Sequence, residues 1–175
     1  MRYLYEDQLY SDRLCTRFLR PEDMETWEPF FKNKLCTQFL SNFPDLSPME
    51  KAKHMIDKQI ERYDQKRYGL QMISNRIDNK PIGLCGLLLQ QVDDIVELEV
   101  GYHFLYQHWG FGYATEAASI MIEYARKNKL ADSLISVIDL LNYKSQAVAE
   151  RNGFVREKEL LYLGDEVYIY RKSLL

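Results

Sequence analysis

Cysteine is scarce in this sequence and is not arranged for cross-linking or metal binding. The 175 residues include three cysteines, Cys15, Cys36 and Cys85, which lie far apart and form no C-x-x-C pair. An odd number of cysteines at this spacing predicts neither a disulfide framework nor a zinc site, so we expect free, buried thiols. The three histidines also lack metal-ligand spacing, and the sequence therefore predicts no metal.

Long apolar runs and clustered basic charge are absent as well. No stretch approaches the roughly 18 apolar residues of a membrane helix. The opening segment, residues 1–7, carries acids where a signal peptide has its apolar core. A formal net charge of −3 offers no basic footprint for a nucleic acid. We therefore expect a cytoplasmic protein without a nucleic-acid or membrane partner.

The amount and pattern of apolar residues predict one mixed α/β domain over residues 1–175. With 46% hydrophobic and 28% charged residues, the chain has the composition of an ordinary globular protein of single-domain length. Its periodicity predicts the order β-α-α-β-β-β-α-β-α-β-β, a mostly antiparallel sheet with one strand–helix–strand unit. The strands are predicted at about 13–20, 68–74, 82–91, 95–105, 133–139, 155–163 and 167–172. The helices are predicted at about 21–33, 48–65, 113–128 and 143–152.

The predicted strand at 95–105 has two different faces, because side chains alternate along a strand. Its apolar face consists of Val96, Leu98, Val100, Tyr102 and Phe104. Its other face consists of Glu97, Glu99, Gly101 and His103. A β-bulge, which is common beside active sites, would change which glutamate faces a cleft.

A glycine-rich turn, Trp109-Gly110-Phe111-Gly112, separates this strand from the next predicted helix. Glycine lets the backbone approach a ligand closely and adopt positive φ. The helix N-terminus adds unpaired N–H groups and a partial positive charge, a combination that suits phosphate. Two glycines alone also fit a plain structural turn. The segment is neither a Walker loop, since no Gly-Lys-Ser/Thr follows, nor a full Rossmann fingerprint.

This segment resembles motif A of the GNAT acetyltransferases, Q/R-x-x-G-x-G/A. Two registers fit: Gln107-x-x-Gly110-x-Gly112, and Trp109-x-x-Gly112-x-Ala114 with Trp109 in place of the usual Arg or Gln. Stretches at both ends and in the middle resemble the GNAT branch that includes the ribosomal-protein alanine acetyltransferases. They are Asp12-Arg13-Leu14 with Arg17-Phe18-Leu19-Arg20 and Asp23, Glu99-Val100-Gly101-Tyr102, Trp109 through Ala117, and Asn142-x-x-Ser145 with Glu150-Arg151-Asn152-Gly153-Phe154. The resemblance covers about residues 11–172 and implies the GNAT fold.

The resemblance implies where acetyl-coenzyme A binds. In this family the fourth and fifth strands splay apart, and the acetyl thioester lies in the gap between them. The backbone of Tyr102, His103 and Phe104 is expected to pair with the pantetheine arm. Asn142 and Ser145 are expected to contact the cofactor, although Asn142 also fits a helix N-cap. The pyrophosphate is expected on the backbone of Trp109, Gly110, Phe111, Gly112, Tyr113 and Ala114.

Acetyl transfer to an amine requires a group that accepts a proton, since a free amine is mostly protonated at pH 7. Glu99 is the candidate general base, and the alternative is a solvated edge-strand carboxylate. Ser145 is the candidate proton donor to the leaving thiolate, and the alternative is a first-turn helix serine that bonds to the backbone. Many GNATs place a Tyr seven residues after the Asn for this task, and here that position is Ala149.

The sequence therefore predicts an acetyl-CoA-dependent N-acetyltransferase in which a primary amine attacks directly in a ternary complex. The acceptor is a protein N-terminus or a small-molecule amine, and the protein is a monomer or homodimer. The alternative is a non-catalytic acyl-CoA sensor of the same fold, which the missing Tyr favours. A different donor such as succinyl-CoA also stays open. Aromatic residues of the first helical region either wall the acceptor pocket or pack as core: Trp27, Phe30, Phe31, Phe39 and Phe43.

Overall fold

The computed structural model describes residues 3–41 and 43–175. Met1 and Arg2, which begin the opening segment considered above, and Asn42 lie outside the described residues. The helices are α1 (Asp23–Lys32), α2 (Lys34–Thr37), α3 (Pro48–Asp64), α4 (Tyr113–Lys127) and α5 (Tyr143–Arg151). The strands are β1 (Leu14–Arg17), β2 (Leu70–Asn75), β3 (Pro81–Val92), β4 (Ile95–Phe104), β5 (Ser133–Asp139), β6 (Val155–Tyr162) and β7 (Asp165–Ser173).

The strands form a seven-stranded sheet in the order β1-β2-β3-β4-β5-β7-β6. All neighbouring strands are antiparallel except β4 and β5, which are parallel and are connected through α4. The predicted mixed fold with one strand–helix–strand unit is confirmed. Two details differ: β1 covers four residues rather than 13–20, and the short helix α2 was not predicted. Asn33 caps α2 by accepting a hydrogen bond from the Leu35 N–H at 2.9 Å.

Local signals fix the ends of the helices that flank the site. Ser47 and Glu50 form the capping box that begins α3, with reciprocal hydrogen bonds of 3.3 and 2.9 Å. Such a box satisfies two N–H groups that have no partner inside the helix. Gly112 precedes α4 at φ 78°, and Gly153 follows α5 at φ 79°. Glycine adopts these positive angles without the steric penalty of a side chain.

The two faces of the sheet bury separate apolar cores. Helix α4 covers one face, where Ala117 and Met121 pack with Val100 and Phe104. Helices α1 and α3 cover the other face, where Trp27 and Phe30 stack with ring centroids 4.7 Å apart. Trp27 and Phe30 are fully buried, which supports core packing for these two, while Phe31, Phe39 and Phe43 are half-buried. The cysteines are free thiols, with Cys85 buried and Cys15 and Cys36 half-buried.

No helix within residues 3–41 and 43–175 combines the length and the apolar character needed to cross a membrane.

Candidate active site

The parallel strands β4 and β5 touch at one point only and then separate. Their single backbone pairing joins Glu99 to Ile135. Beyond that pair β4 keeps its pairing with β3, and β5 keeps its pairing with β7. Side chains support the junction: the Ser136 hydroxyl donates to the Val100 carbonyl at 2.8 Å, and the Val137 N–H donates to Glu99 Oε1 at 3.2 Å. A gap bordered by the free edge of β4 therefore opens next to Glu99.

Glu99 is buried in this central strand, with 7% of its surface exposed. Its second oxygen, Oε2, accepts a hydrogen bond from Gln90 Nε2 at 2.6 Å. Burial raises the pKa of Glu99 from 4.5 to about 7, against smaller lowering effects of the two hydrogen bonds and of the Arg62 cation. The alternative of a solvated edge-strand carboxylate is therefore wrong, because Glu99 is buried and β4 lies inside the sheet.

The neighbouring glutamate has a different environment. Glu97 forms a two-point ion pair with Arg171, at 2.7 and 3.1 Å. The pairing of β3 with β4 continues from Gly83 and Phe104 to Val92 and Ile95 without a register shift. The bulge that could have exchanged the two glutamates is thus absent from this pairing, and Glu99 is the one at the junction.

Two hydroxyl groups meet on the α4 side of the gap. The Tyr102 hydroxyl lies 3.0 Å from Ser145 Oγ and 3.0 Å from the Ser145 carbonyl oxygen. Burial raises the pKa of Tyr102 well above its ordinary value, so the phenol keeps its proton at neutral pH. The Ser145 N–H donates to Asn142 Oδ1 at 3.1 Å, which makes Asn142 the N-cap of α5. The Tyr102–Ser145 contact was not predicted, because 43 residues separate the two.

The turn before α4 presents backbone donors. Within the part of the chain that the structure describes, the N–H groups of residues 110–114 have no acceptor. Gly110 and Gly112 have φ values of 82° and 78°, and a Cβ added at Gly110 would meet no atom within 4 Å. The Trp109 N–H, which was also expected to face the cofactor, donates instead to the Tyr106 carbonyl at 3.1 Å. Five of the six predicted amides are thus open to a ligand.

Two side chains for which no such contact was predicted, those of Arg13 and Trp109, hold this turn in place. Arg13 donates to the Phe111 carbonyl at 2.9 Å, pairs with Glu116 of α4 at 2.7 Å, and lies over the Tyr113 ring at 4.5 Å. The Trp109 indole N–H donates to the Phe104 carbonyl at 2.9 Å. Arg13 belongs to the opening stretch that resembles the family, but its contacts were not predicted because they span about a hundred positions of the chain.

A second positively charged side chain, in addition to Arg13, lies at the same turn. Lys144, in the first turn of α5, is exposed and lies 4.5 Å from the centre of the Trp109 ring. A lysine ammonium at this position adds positive charge to an anion-binding turn. Lys144 was not predicted as a site residue, although it lies between the predicted residues Asn142 and Ser145 in the sequence.

On the opposite face of the junction, Glu99 and Gln90 meet Tyr162 at the end of β6. Arg62, at the end of α3, lies close enough for its charge to act on the Glu99 carboxyl. The Tyr162 hydroxyl donates to Gln90 Oε1 at 2.8 Å, while Gln90 donates to Glu99. Ser41, in the loop between α2 and α3, hydrogen-bonds Asp165 at the β6–β7 turn. The bonds of Gln90 join β3, β4 and β6 at the Glu99 carboxyl, and the Ser41–Asp165 bond joins the α2–α3 loop to the β6–β7 turn.

The predicted residues thus divide between the two faces. Tyr102 and Phe104 lie on the α4 side, and His103 lies with Glu99 on the other side, where its ring contacts Phe30 at a centroid distance of 5.6 Å. Burial lowers the pKa of His103 to about 4, so this imidazole is neutral at pH 7. In the described residues, no group of three or more His, Cys, Asp or Glu side chains is placed to hold a metal ion.

Comparisons with known proteins identify the class that this fold and site define. The family described as "Acetyltransferase (GNAT) domain" matches residues 13–155. The chain therefore belongs to the GNAT acetyltransferases, enzymes that take the acetyl group from acetyl-CoA. The predicted family and the predicted acyltransferase class are confirmed.

Individual relatives extend over nearly the whole chain. The uncharacterized protein YkkB of Bacillus subtilis (strain 168) is 24% identical over 168 residues, which are 95% of each chain. The structure of an acetyltransferase from Agrobacterium tumefaciens str. C58 superposes with a TM-score of 0.79 at 23% identity, over 98% of this chain and 97% of that one. RimL, described as a ribosomal L7/L12 alpha-N-protein acetyltransferase in complex with coenzyme A, superposes with a TM-score of 0.75 at 18% identity, over 96% and 98%. At these identities the structures establish the fold alone.

Proposed function

We propose that this protein binds acetyl-CoA in the gap between β4 and β5 and transfers the acetyl group to a primary amine that enters from the face of the sheet opposite α4, which we call the acceptor side. The observation that carries the proposal is Glu99, a buried carboxyl with a pKa of about 7 at the point where the two strands part. A general base is most effective when its pKa lies near the working pH. An ordinary surface glutamate lacks that property.

The residues around the gap fit the parts of acetyl-CoA. The open N–H groups of residues 110–114 stand at the N-terminus of α4, where the helix dipole favours negative charge. These groups would hold the diphosphate, with Lys144 as an added cation. The free edge of β4 at Tyr102 and His103 offers backbone donors and acceptors to the amides of the pantetheine arm. RimL, which has the same fold, is described in complex with coenzyme A.

The protein's own groups then supply the proton transfers. Acetyl-CoA, when bound, provides an activated acetyl carbonyl and a thiolate leaving group. Glu99 accepts a proton from the acceptor ammonium, which frees the nitrogen lone pair for attack. On the other face Ser145 Oγ donates a proton to the departing sulfur, while the attacked nitrogen loses its second proton. That second proton replaces the one given by Ser145, so Ser145 ends as a neutral hydroxyl and the amide as a neutral product. The Tyr102 hydroxyl, 3.0 Å away, holds Ser145 in position. Binding both reactants in one orientation contributes further, because it removes the entropic cost of bringing them together.

The acceptor is a protein N-terminus or a small-molecule amine. RimL is described as an alpha-N-protein acetyltransferase, which supports testing N-terminal peptides beside small amines. The alternative of a non-catalytic sensor loses its main support, because the hydroxyl that Ala149 lacks is supplied close by from Tyr102 and Ser145.

The test is the release of coenzyme A thiol from acetyl-CoA against a panel of amines and N-terminal peptides. We expect turnover with one acceptor class, and a decrease in kcat/KM of about 100-fold or more in Glu99→Gln, the range for loss of a general base. Glu97→Gln is the matched control, since Glu97 lies on the same strand and is engaged by Arg171. Tight acetyl-CoA binding without release in the presence of any acceptor would contradict the proposal and favour the sensor.

A further inference from the structure

Arg62 is a half-buried arginine without an acidic partner. Its guanidinium donates to Gln59 Oε1 at 3.0 Å, and no carboxylate oxygen of the described residues lies within the 4.0 Å of an ion pair. The other half-buried arginines of the described chain each pair with a carboxylate. They are Arg17 with Asp23, Arg126 with Glu123, and Arg171 with Glu97 and Glu157. A cation that is partly removed from water gains from an anionic partner, and Arg62 has none among the residues that the structure describes.

The packing of α3 holds Arg62 near Glu99. Gln59, which fixes the Arg62 guanidinium, also accepts a hydrogen bond from the Leu70 N–H at 2.9 Å. Leu70 pairs with Gly86, which in turn pairs with Gly101 on β4. Glu99 lies two residues before Gly101 on β4, and its side chain is on the same face of that strand. The last turn of α3 therefore stands beside the Glu99 carboxyl on the acceptor side.

The two charges act on each other without touching. Burial lowers the pKa of Arg62 and raises the pKa of Glu99, and the charge of each group partly offsets the shift of the other. They nevertheless lie more than 4.0 Å apart, since they form no ion pair. The Glu99 anion and the Arg62 cation are thus separate charges on one face of the sheet. Such a pair matches a ligand with an ammonium at one end and a carboxylate at the other.

We propose that Arg62 binds a carboxylate of the acceptor, so that the preferred acceptor is an amine with a carboxylate a few bonds from its nitrogen, such as a free amino acid. The inference rests on the proposed function, in which Glu99 receives the proton of the acceptor amine. Arg62 presents a planar fork of N–H donors, and such a fork matches a carboxylate with two parallel hydrogen bonds. The carboxylate would thereby fix the distance of the amine from Glu99.

This arrangement discriminates against neutral analogues. An acceptor whose carboxylate is replaced by an amide leaves the charge of the half-buried Arg62 unpaired. A site built to bind one polar group rejects the analogue that lacks it far better than an apolar pocket rejects a missing methylene. A carboxylate on the acyl group, as in succinyl-CoA, would satisfy the same guanidinium, so the experiment includes that donor.

The test compares L-amino acids with their primary amides as acceptors, with acetyl-CoA as donor, in wild type, Arg62→Gln and Arg62→Lys. We expect wild type to prefer the acid by about 10- to 100-fold in kcat/KM, the range for a charge-assisted hydrogen-bonded pair. Arg62→Gln should remove the preference by slowing transfer to the acid far more than transfer to the amide, so that the two kcat/KM values become similar. Arg62→Lys should keep part of the preference for the acid over the amide. Arg67→Gln is the control: it removes an exposed arginine just beyond the end of α3 and should retain the preference for the acid.

A second arm offers succinyl-CoA with a plain alkylamine to the same variants. Efficient, Arg62-dependent transfer in this arm would overturn the proposal and assign the guanidinium to the acyl donor. Equal rates for acid and amide, or a preference that persists in Arg62→Gln, would also overturn it, while transfer itself would stand. The absence of transfer to every amine would instead contradict the proposed function and the present inference with it. Circular dichroism and acetyl-CoA binding establish that each variant is folded.

Discussion

Burial gives Glu99 a pKa of about 7 instead of the ordinary 4.5. A carboxyl with this pKa gains and loses its proton within the neutral range. Because a general base acts in its ionised form, we expect kcat/KM to rise with pH and to level off above a midpoint of about 7. The measurement is the pH profile with a single acceptor of known amine pKa.

The matched variants separate this effect from titration of the acceptor amine. Glu99→Gln cannot ionise at this position, so its profile should keep only the limb that belongs to the amine. Glu97→Gln should retain the limb with a midpoint of about 7. An unchanged profile in Glu99→Gln would remove Glu99 from the role of base.

The hydroxyls of Tyr102 and Ser145 form one unit, since each lies 3.0 Å from the other. We expect Ser145→Ala to lower kcat by about 100-fold or more, as loss of a proton donor does. Tyr102→Phe should lower kcat by about 10-fold with little change in the KM for acetyl-CoA, because it removes the support of Ser145 and no cofactor contact.

The double variant decides whether the two residues act together. If Tyr102 acts by positioning Ser145, the double variant should be no slower than Ser145→Ala, since groups that act as a unit are not additive. Independent contributions would multiply the two losses. A Tyr102→Phe variant with a changed KM and an unchanged kcat would make Tyr102 a cofactor contact instead.

Among the structural elements, the turn before α4 links backbone conformation to cofactor binding. Gly110 has φ 82°, and a Cβ placed there has open space around it, so Gly110→Ala changes mainly the backbone conformation. We expect a loss of about 1 kcal/mol in stability and an increase in the KM for acetyl-CoA, because the turn's N–H groups would shift.

Gly164 offers a matched control for that substitution. It lies in the β6–β7 turn with φ 95°, and a Cβ there also meets nothing within 4 Å. Gly164→Ala should therefore cost a similar amount of stability and leave the KM for acetyl-CoA unchanged. Equal kinetic effects in both variants would mean that the turn before α4 acts only through overall stability.

Local patterns in the sequence predicted individual elements, whereas contacts between distant parts of the chain could not be predicted. The capping box at Ser47 and Glu50, the glycines at 110 and 112, and the alternation along β4 are local patterns, and each predicted its element correctly. The roles of Arg13, Arg62 and the Tyr102 hydroxyl depend on contacts between distant parts of the chain. Alternation placed Glu99 on the right face, but its burial depends on β5 and Gln90 and could not be predicted from β4 itself.

At the scale of the whole molecule, the ionisation of Glu99 affects folding. The unfolded chain releases the Glu99 proton near pH 4.5, and the folded chain releases it near 7. Stability therefore falls as pH rises between these values, and the full loss is present above pH 7. Since one pKa unit corresponds to about 1.4 kcal/mol, this loss amounts to about 3 kcal/mol.

Urea unfolding at pH 5 and pH 8 tests this linkage. Glu99→Gln has no proton to lose at this site, so its stability relative to wild type should improve by up to about 3 kcal/mol on going from pH 5 to pH 8. The variant would then be more stable and less active in alkaline solution. A stability difference that does not change with pH would mean that the pKa of Glu99 is close to that of an exposed carboxyl.

The junction of β4 and β5 has one backbone pair, and the side chains of Glu99 and Ser136 complete it. The contact between the two strands therefore depends on the same glutamate that we propose as the general base. Under that proposal, a substitution at position 99 during divergence of relatives would alter the proton acceptor and the strand contact in a single step. Arg62 bonds to Gln59 and not to this junction, so a change there could alter the acceptor preference without removing a junction contact.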